Sequence, residues 1–301
     1  MSETSKKDAQ RQPEDLVLLI RSSFPDLDWK TYKYNDEGWD HQVIILDNGV
    51  VFRFPNSEYL SSLKNEIEVL RVLNPLVNLK IPNYTYIAKD FNFAGYPIVP
   101  GQPLQKKLFD ELGTSNQETI AEQLATFLST LHTVVEKGYD FSSIELSDMK
   151  EQQIRLWSQS VKYLKTKISD EDFSLATEML TATDRMLSQQ HSSVFIHGDI
   201  YNNHLLWDEK TKQLGLIDFS DMNIGDPASD FAELFEYGED FVQDIYDQYS
   251  GPKDNDFLQR AWIYQRWVGV FMMVDNFISH RNSFEEAREL FDRVKHHRVS
   301  L

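Results

Sequence analysis

The apolar positions change period along the chain. Residues 30–54 read as strands: His41–Leu46 and Val50–Phe54 are β-rich runs, and Asp47-Asn48-Gly49 between them is a hairpin turn. In the second run Val51 and Arg53 fall on one face, Phe52 and Phe54 on the other. Leu63, Ile67, Leu70 and Leu73 then recur at helical spacing, predicting an amphipathic helix over 58–73 that stops near Asn74-Pro75. A short helix is expected over Asp15–Ile20, and the polar residues 1–13 are expected to fray. Tyr84–Ala88 and Phe91–Val99 are strand-like, and Pro97, Pro100, Gly101 and Pro103 punctuate a linker. Beyond it, Ile120, Leu124, Phe127, Leu128 and Leu131 predict a helix over 116–134. Residues 145–190 read as helical throughout, 195–219 as strand, loop and hairpin, and the rest mainly as helix. A β-rich front and a helical back predict a two-lobed α+β protein: a lobe over 1–96, a hinge at 97–103, and a helical lobe over 104–301.

Composition narrows the partners. The 301 residues hold 48 acids against 30 Lys and Arg, a net charge of −18, which repels nucleic acid and anionic membranes and favours cationic partners. No cysteine is present, which excludes a disulfide scaffold and thiolate chemistry. The apolar run Leu16–Ile20 is too short for a membrane span or a signal segment, so a cytoplasmic location is expected. No coiled-coil signal appears, and a monomer is expected.

The densest chemistry lies at His197-Gly198-Asp199-Ile200-Tyr201-Asn202-Asn203-His204, followed after a hairpin by Asp218-Phe219-Ser220. The phosphoryl-transfer pattern H-x-D-x-x-x-x-N then D-F-G is matched except at His204 and Ser220. Asp199 would orient the attacking hydroxyl or take its proton, and the hairpin would return Asp218 as a metal ligand. His204 could ligate a metal, contact a phosphate or hold a metal-bound water, since Mg²⁺ prefers oxygen ligands. His197 reads as a brace. Glu66 shares the buried stripe of its helix, where a carboxylate needs a partner, and Arg53 thirteen residues earlier is the natural cation. Such a pair aims positive charge at nucleotide phosphates. Asn35–His41 sits where a phosphate-covering loop belongs, with Gly38 as its single glycine. Glu233, Glu236, Glu239 and Asp240 cluster on an expected helix and its following loop, and would attract a small cationic substrate. Trp262, Tyr264, Arg266, Trp267 and Phe271 either wall that pocket, Trp267 above all, or form core.

Together these residues resemble the aminoglycoside phosphotransferase family of kinase-like enzymes, over roughly residues 30–280. The matches are densest at VFRFP with KNEIEVL, FAGYPIVPGQPL, LATFLSTLH, FIHGDIYNNHLLWD, LIDFSD and IGDPASDF. The likeness is greatest to aminoglycoside 2″-phosphotransferases. It implies a two-lobed protein-kinase-like fold and γ-phosphoryl transfer from ATP or GTP to an aminoglycoside hydroxyl. By the same resemblance Asp199 is the base, His204 and Asp218 hold Mg²⁺, and Arg53 and Glu66 form the phosphate pair. Tyr96 backs the nucleobase, the Pro97 carbonyl and Val99 N–H edge it, and the bulk of Tyr96 leaves GTP open beside ATP. Asp226 and Asp230 brace the catalytic loop. The alternatives are the same chemistry on a macrolide or a metabolite amino alcohol, a non-catalytic nucleotide-binding relative, and a His/Asp metallohydrolase. A protein kinase is disfavoured because no A-P-E segment follows Asp218.

Overall fold

The structure, a computed structural model, describes residues 11–35, 41–56, 60–135, 138–139, 149–189, 191–279 and 282–296. In chain order the elements are α1 (Pro13–Ser23), β1 (Tyr32–Asn35), β2 (His41–Leu46), β3 (Val50–Pro55), α2 (Leu60–Leu73), β4 (Tyr86–Ile87), β5 (Ala94–Pro97), β6 (Gln102–Pro103), α3 (Lys106–Glu111), α4 (Thr114–His132), α5 (Met149–Tyr163) and α6 (Asp170–Leu187). They continue as β7 (Val194–Ile196), β8 (Leu205–Asp208), β9 (Gln213–Leu216), β10 (Asn223–Gly225), α7 (Glu239–Gln248), α8 (Phe257–Ser279) and α9 (Phe284–Val294). Two compact units result: the chain up to Gln102 together with Leu206–Ser220, and Pro103–Leu205 together with Asp221 onward.

The first unit is built on an antiparallel sheet of order β1-β2-β3-β5-β4. The Asp47-Asn48-Gly49 turn sets its register. Gly49 takes φ +81°, a left-handed conformation suited to glycine. The Asp47 carboxylate accepts the Lys30 and Thr31 N–H groups at 3.0 and 3.1 Å. Ile45 thereby faces Val51, and Val43 faces Arg53. On the opposite face Val50, Phe52 and Phe54 join Leu16 and Ile20 of α1, Trp29 and Phe93 in the core. A Cβ on Gly95 would meet the Phe52 ring at 2.6 Å, so only glycine lets that ring lie across β5. Leu63, Ile67, Leu70 and Leu73 bury the stripe of α2. Lys80 N–H donates to Leu214 O, and Leu216 N–H donates to Lys80 O, at 3.0 and 2.9 Å, which ties β9 to this unit.

The second unit is helical. α8 packs against α5, α6 and α9, and α4 packs against α7. A two-stranded antiparallel pair, β7 with β10, places Ile196 opposite Asn223 just before the His197 loop.

Several boundaries differ from the sequence expectation. Arg11 N–H donates to Gln42 Oε1 at 3.2 Å and α1 already starts at Pro13, so the end of the stretch expected to fray is held; residues 1–10 lie outside the described residues. The two strand-like stretches shrink to Tyr86–Ile87 and Ala94–Pro97, with a 3-10 turn at Lys89–Phe91 where Asp90 and Phe91 take positive φ. The helix expected over 116–134 starts at Thr114, and α3 precedes it. The described part of 145–190 is not helical throughout: α5 and α6 are separated at 164–169, where Ser169 caps α6 by accepting Asp172 N–H at 3.1 Å. β10 was not foreseen. The centre of the expected phosphate loop, residues 36–40, lies outside the described residues.

Candidate active site

In the first unit the chemistry gathers on Arg53. Its guanidinium, on the face of β3 away from the phenylalanine core, is buried. Nη1 donates to Glu66 Oε1 at 2.7 Å, and the Tyr84 hydroxyl donates to the same oxygen at 3.0 Å. Nη2 donates to Asp218 Oδ1 at 2.9 Å and Ser220 Oγ at 3.1 Å, and lies 3.2 Å from His41 Nδ1. The Arg53–Glu66 pairing expected from sequence is therefore present, and Asp218 joins it, a contact the sequence did not suggest. Burial works against the Arg53 charge, but Glu66 and Asp218 more than restore it. Burial pushes the Glu66 carboxyl up, with Arg53 opposing. Burial, reinforced by Arg53, brings His41 down to about 3. Asp218 takes φ +62°, an uncommon conformation for a residue with a Cβ. It is held there by Arg53 and by the Ser220 hydroxyl, which donates to Oδ1. Ser220, in the position where glycine is usual, thus supports the carboxylate directly. Tyr96 is buried beside these groups with its ring edge-on to Tyr84 at 4.9 Å; Pro97 ends β5 and Val99 is buried just after it.

In the second unit the loop after β7 presents Asp199. Gly198 takes φ +85°, and a Cβ there would meet Asp221 O at 2.4 Å. Asp230 accepts the His197 N–H at 2.9 Å and the Gly198 N–H at 2.8 Å, and its Oδ2 lies 3.1 Å from His132 Nε2. Burial raises the Asp230 carboxyl, but His132, His197 and the Gly198 N–H outweigh it and hold it below its ordinary value. Asp230 is thus the brace expected of it. Asp226 is not: it caps its own turn through Ala228 N–H and grips Arg260 Nε at 2.7 Å. His197 is buried and accepts the Asp199 N–H at 3.2 Å, a bracing role. His204 Nδ1 sits 2.9 Å from Asp199 O and 3.2 Å from Asp199 Oδ2, so this histidine touches the candidate base itself.

A cleft of about 650 Å³ in the same unit is lined by all four predicted acids, Glu233, Glu236, Glu239 and Asp240, with Lys106 and Arg293. Glu233 and Glu236 lie on a 3-10 turn, and Glu239 and Asp240 open α7 rather than a loop. Glu236 Oε2 accepts Asn202 Nδ2 at 2.7 Å, linking the cleft to the Asp199 loop. Burial, then the charges of Asp199 and Glu236, push the Glu233 carboxyl up to about 8, with His204 opposing. The aromatic wall is Trp262, edge-on to Phe235 at 5.0 Å, rather than Trp267. Trp267 packs between helices, donating Nε1 to Gln153 Oε1 at 2.7 Å and stacking on Phe271.

Sequence reasoning missed the contacts of His41 with Arg53 and of Tyr84 with Glu66. The hairpin held a signal for the first: Val43 opposite Arg53 puts His41 diagonal to it on the same face. Among the described residues no cluster of three or more His, Asp or Glu side chains is arranged to hold a metal, and no helix is long and apolar enough to cross a membrane.

Comparison with known proteins agrees with this chemistry. The family model described as a phosphotransferase enzyme family, APH, matches residues 31–262. Viomycin phosphotransferase of Streptomyces vinaceus is 27% identical over 210 residues, which cover 66% of this chain and 67% of that protein. The GDP and kanamycin complex of APH(2″)-IIIa superimposes with a TM-score of 0.81 at 24% identity, covering 93% of this chain and 98% of that one. A macrolide 2′-phosphotransferase of type I gives 0.65 at 18% identity over 94% and 98%. These two superpositions establish the kinase-like fold. With the family match spanning most of its length, the chain belongs to the APH phosphotransferase enzyme family and is a kinase-like phosphotransferase.

Proposed function

We propose that this enzyme transfers the γ-phosphoryl group of ATP or GTP to a hydroxyl of a cationic antibiotic of the aminoglycoside type. The observation that carries the substrate class is the acidic cleft. Four acidic side chains line it, Glu236, Glu239 and Asp240 beside Glu233 with its raised carboxyl, and Glu236 is bonded to Asn202 of the Asp199 loop. An ammonium-bearing acceptor held by those acids would be drawn to the loop that carries the base.

In the proposed reaction the acceptor oxygen attacks the γ-phosphorus and the bond to the β–γ bridging oxygen breaks. Nucleoside diphosphate leaves with that bond's electrons, and the hydroxyl proton passes to an Asp199 carboxylate oxygen. His204 Nδ1, against Asp199 Oδ2, would hold the carboxylate in orientation. Arg53, kept charged by Glu66, would offset phosphate charge. Mg²⁺ would be held by Asp218 together with His204, and when bound supplies charge neutralisation at the β- and γ-phosphates. Asp218 fits that role, being a hard carboxylate with a side chain 37% exposed. His204 fits less closely, since its Nδ1 is committed to Asp199 and ligation would run through Nε2. Tyr96 would back the nucleobase with the Pro97 carbonyl and Val99 N–H at its edge. Ile98 N–H is already spent on Gly49 O at 2.7 Å, which supports Val99 as the donor.

A macrolide acceptor is the second reading, favoured by the Trp262, Phe235, Tyr237 and Phe241 wall of the same cleft. Phosphorylation of kanamycin, gentamicin, viomycin and erythromycin, with ATP and GTP in parallel, separates the two. Turnover of a polycationic acceptor is expected. Turnover of erythromycin alone would shift the assignment, and turnover of none would remove it.

A further inference from the structure

His41 opens β2 and is 5% exposed. Its Nδ1 lies 3.2 Å from Arg53 Nη2. A guanidinium has only donors, so Nδ1 is the unprotonated acceptor and the ring proton sits on Nε2. That Nε2 is buried and has no hydrogen-bond partner among the described residues. A buried donor left unmet is costly, and leucine or phenylalanine would fill the space without that cost. Among the described residues the polar contact of this imidazole is with Arg53.

The arrangement around Nη2 explains what this service does. Nη2 has two hydrogens but three acceptors around it: Asp218 Oδ1, Ser220 Oγ and His41 Nδ1. Two carboxylates, Glu66 and Asp218, pull on the guanidinium from separate nitrogens. A neutral acceptor fixes its plane without adding charge. Burial and the Arg53 charge hold His41 at about 3, so the ring stays neutral and keeps its lone pair near neutral pH.

We propose that His41 is a positioning residue for nucleotide binding: through Nδ1 it fixes the plane of the Arg53 guanidinium and so the direction in which that charge meets the phosphates. The proposal rests on the reading of Arg53 as the phosphate cation. Calorimetric titration of the full chain with ATP and GTP, each with Mg²⁺, tests it on wild type, His41→Leu, His41→Asn, Arg53→Met and the double variant His41→Leu/Arg53→Met. His41→Leu should weaken binding about tenfold, the scale of one lost bond to a charged group. His41→Asn, whose Oδ1 stands near the Nδ1 position, should recover most of that loss. In the Arg53→Met background His41→Leu should add nothing, because coupled residues are not additive. Thermal unfolding establishes that each variant is folded; if His41→Leu is not, His41→Gln, whose amide is displaced from the Nδ1 position, takes its place. Binding by His41→Leu equal to wild type, equal losses for Leu and Asn, or additive losses in the double variant would each overturn the proposal. Absence of nucleotide binding by wild type would instead overturn the Arg53 reading, and this proposal with it.

Discussion

At Arg53 the free energy of the fold and the chemistry meet. Arg53 and Glu66 are ion-paired at 2.7 Å with side chains 6% and 0% exposed, so each charge relies on the other. Removing one partner of such a pair costs about 3–5 kcal/mol, whereas replacing both with apolar groups can be neutral. Arg53→Met should therefore lower stability by that amount in urea titration, and Arg53→Met with Glu66→Leu should recover most of it while nucleotide binding stays as weak as in Arg53→Met alone. Full recovery of binding would contradict the role given to the cation. Glu233 gives a pH signature. Its carboxyl titrates near 8 in the fold, above its ordinary value of 4.5, so the folded chain holds the proton more tightly than the unfolded one. The stability that this proton contributes is complete below about 4.5 and is lost as pH rises towards 8. Glu233→Gln lacks the dependence, so its melting temperature should gain on wild type between pH 5 and pH 8; a constant difference would contradict the shift.

Among the elements, the β2–β3 hairpin and α2 were legible because their periods are clean: a DNG turn, alternate apolar residues, and a stripe at three- and four-residue spacing. The same periodicity made Arg53–Glu66 predictable, since one strand face and one helix stripe each left a charge among apolar neighbours. What the sequence hid were contacts with no local period. Tyr84 reaches back 18 residues to Glu66, and the position of Trp262 rather than Trp267 in the cleft depends on how α8 is rotated against α5 and α6. Glu239 and Asp240, expected in the loop after a helix, instead open α7, which starts directly after Gly238. The Asp199 loop is the element most exposed to a single change. Gly198→Ala must relieve both a φ of +85° and a 2.4 Å approach to Asp221 O, so a loss of about 1–3 kcal/mol is expected with a fall in kcat. Wild-type stability and turnover in that variant would mean the loop is not held as described.

The molecule as a whole carries a net charge of −18. A field of that sign steers cationic acceptors and is screened by salt. Thus kcat/KM for a polycationic acceptor should fall as ionic strength rises, more steeply than for a neutral one; equal slopes would argue for the macrolide reading. Family membership accounts for the kinase-like architecture, and the acidic cleft carries the reading of the acceptor. Phosphoryl transfer to an acceptor hydroxyl should depend on Asp199, and kcat for kanamycin phosphorylation by wild type and Asp199→Asn, with product formation followed by phosphorus NMR, tests that dependence. A phosphorylated acceptor is expected with wild type and a fall in kcat of about 10²–10⁴-fold in the variant, the scale of a lost general base. Wild-type turnover by Asp199→Asn would contradict it.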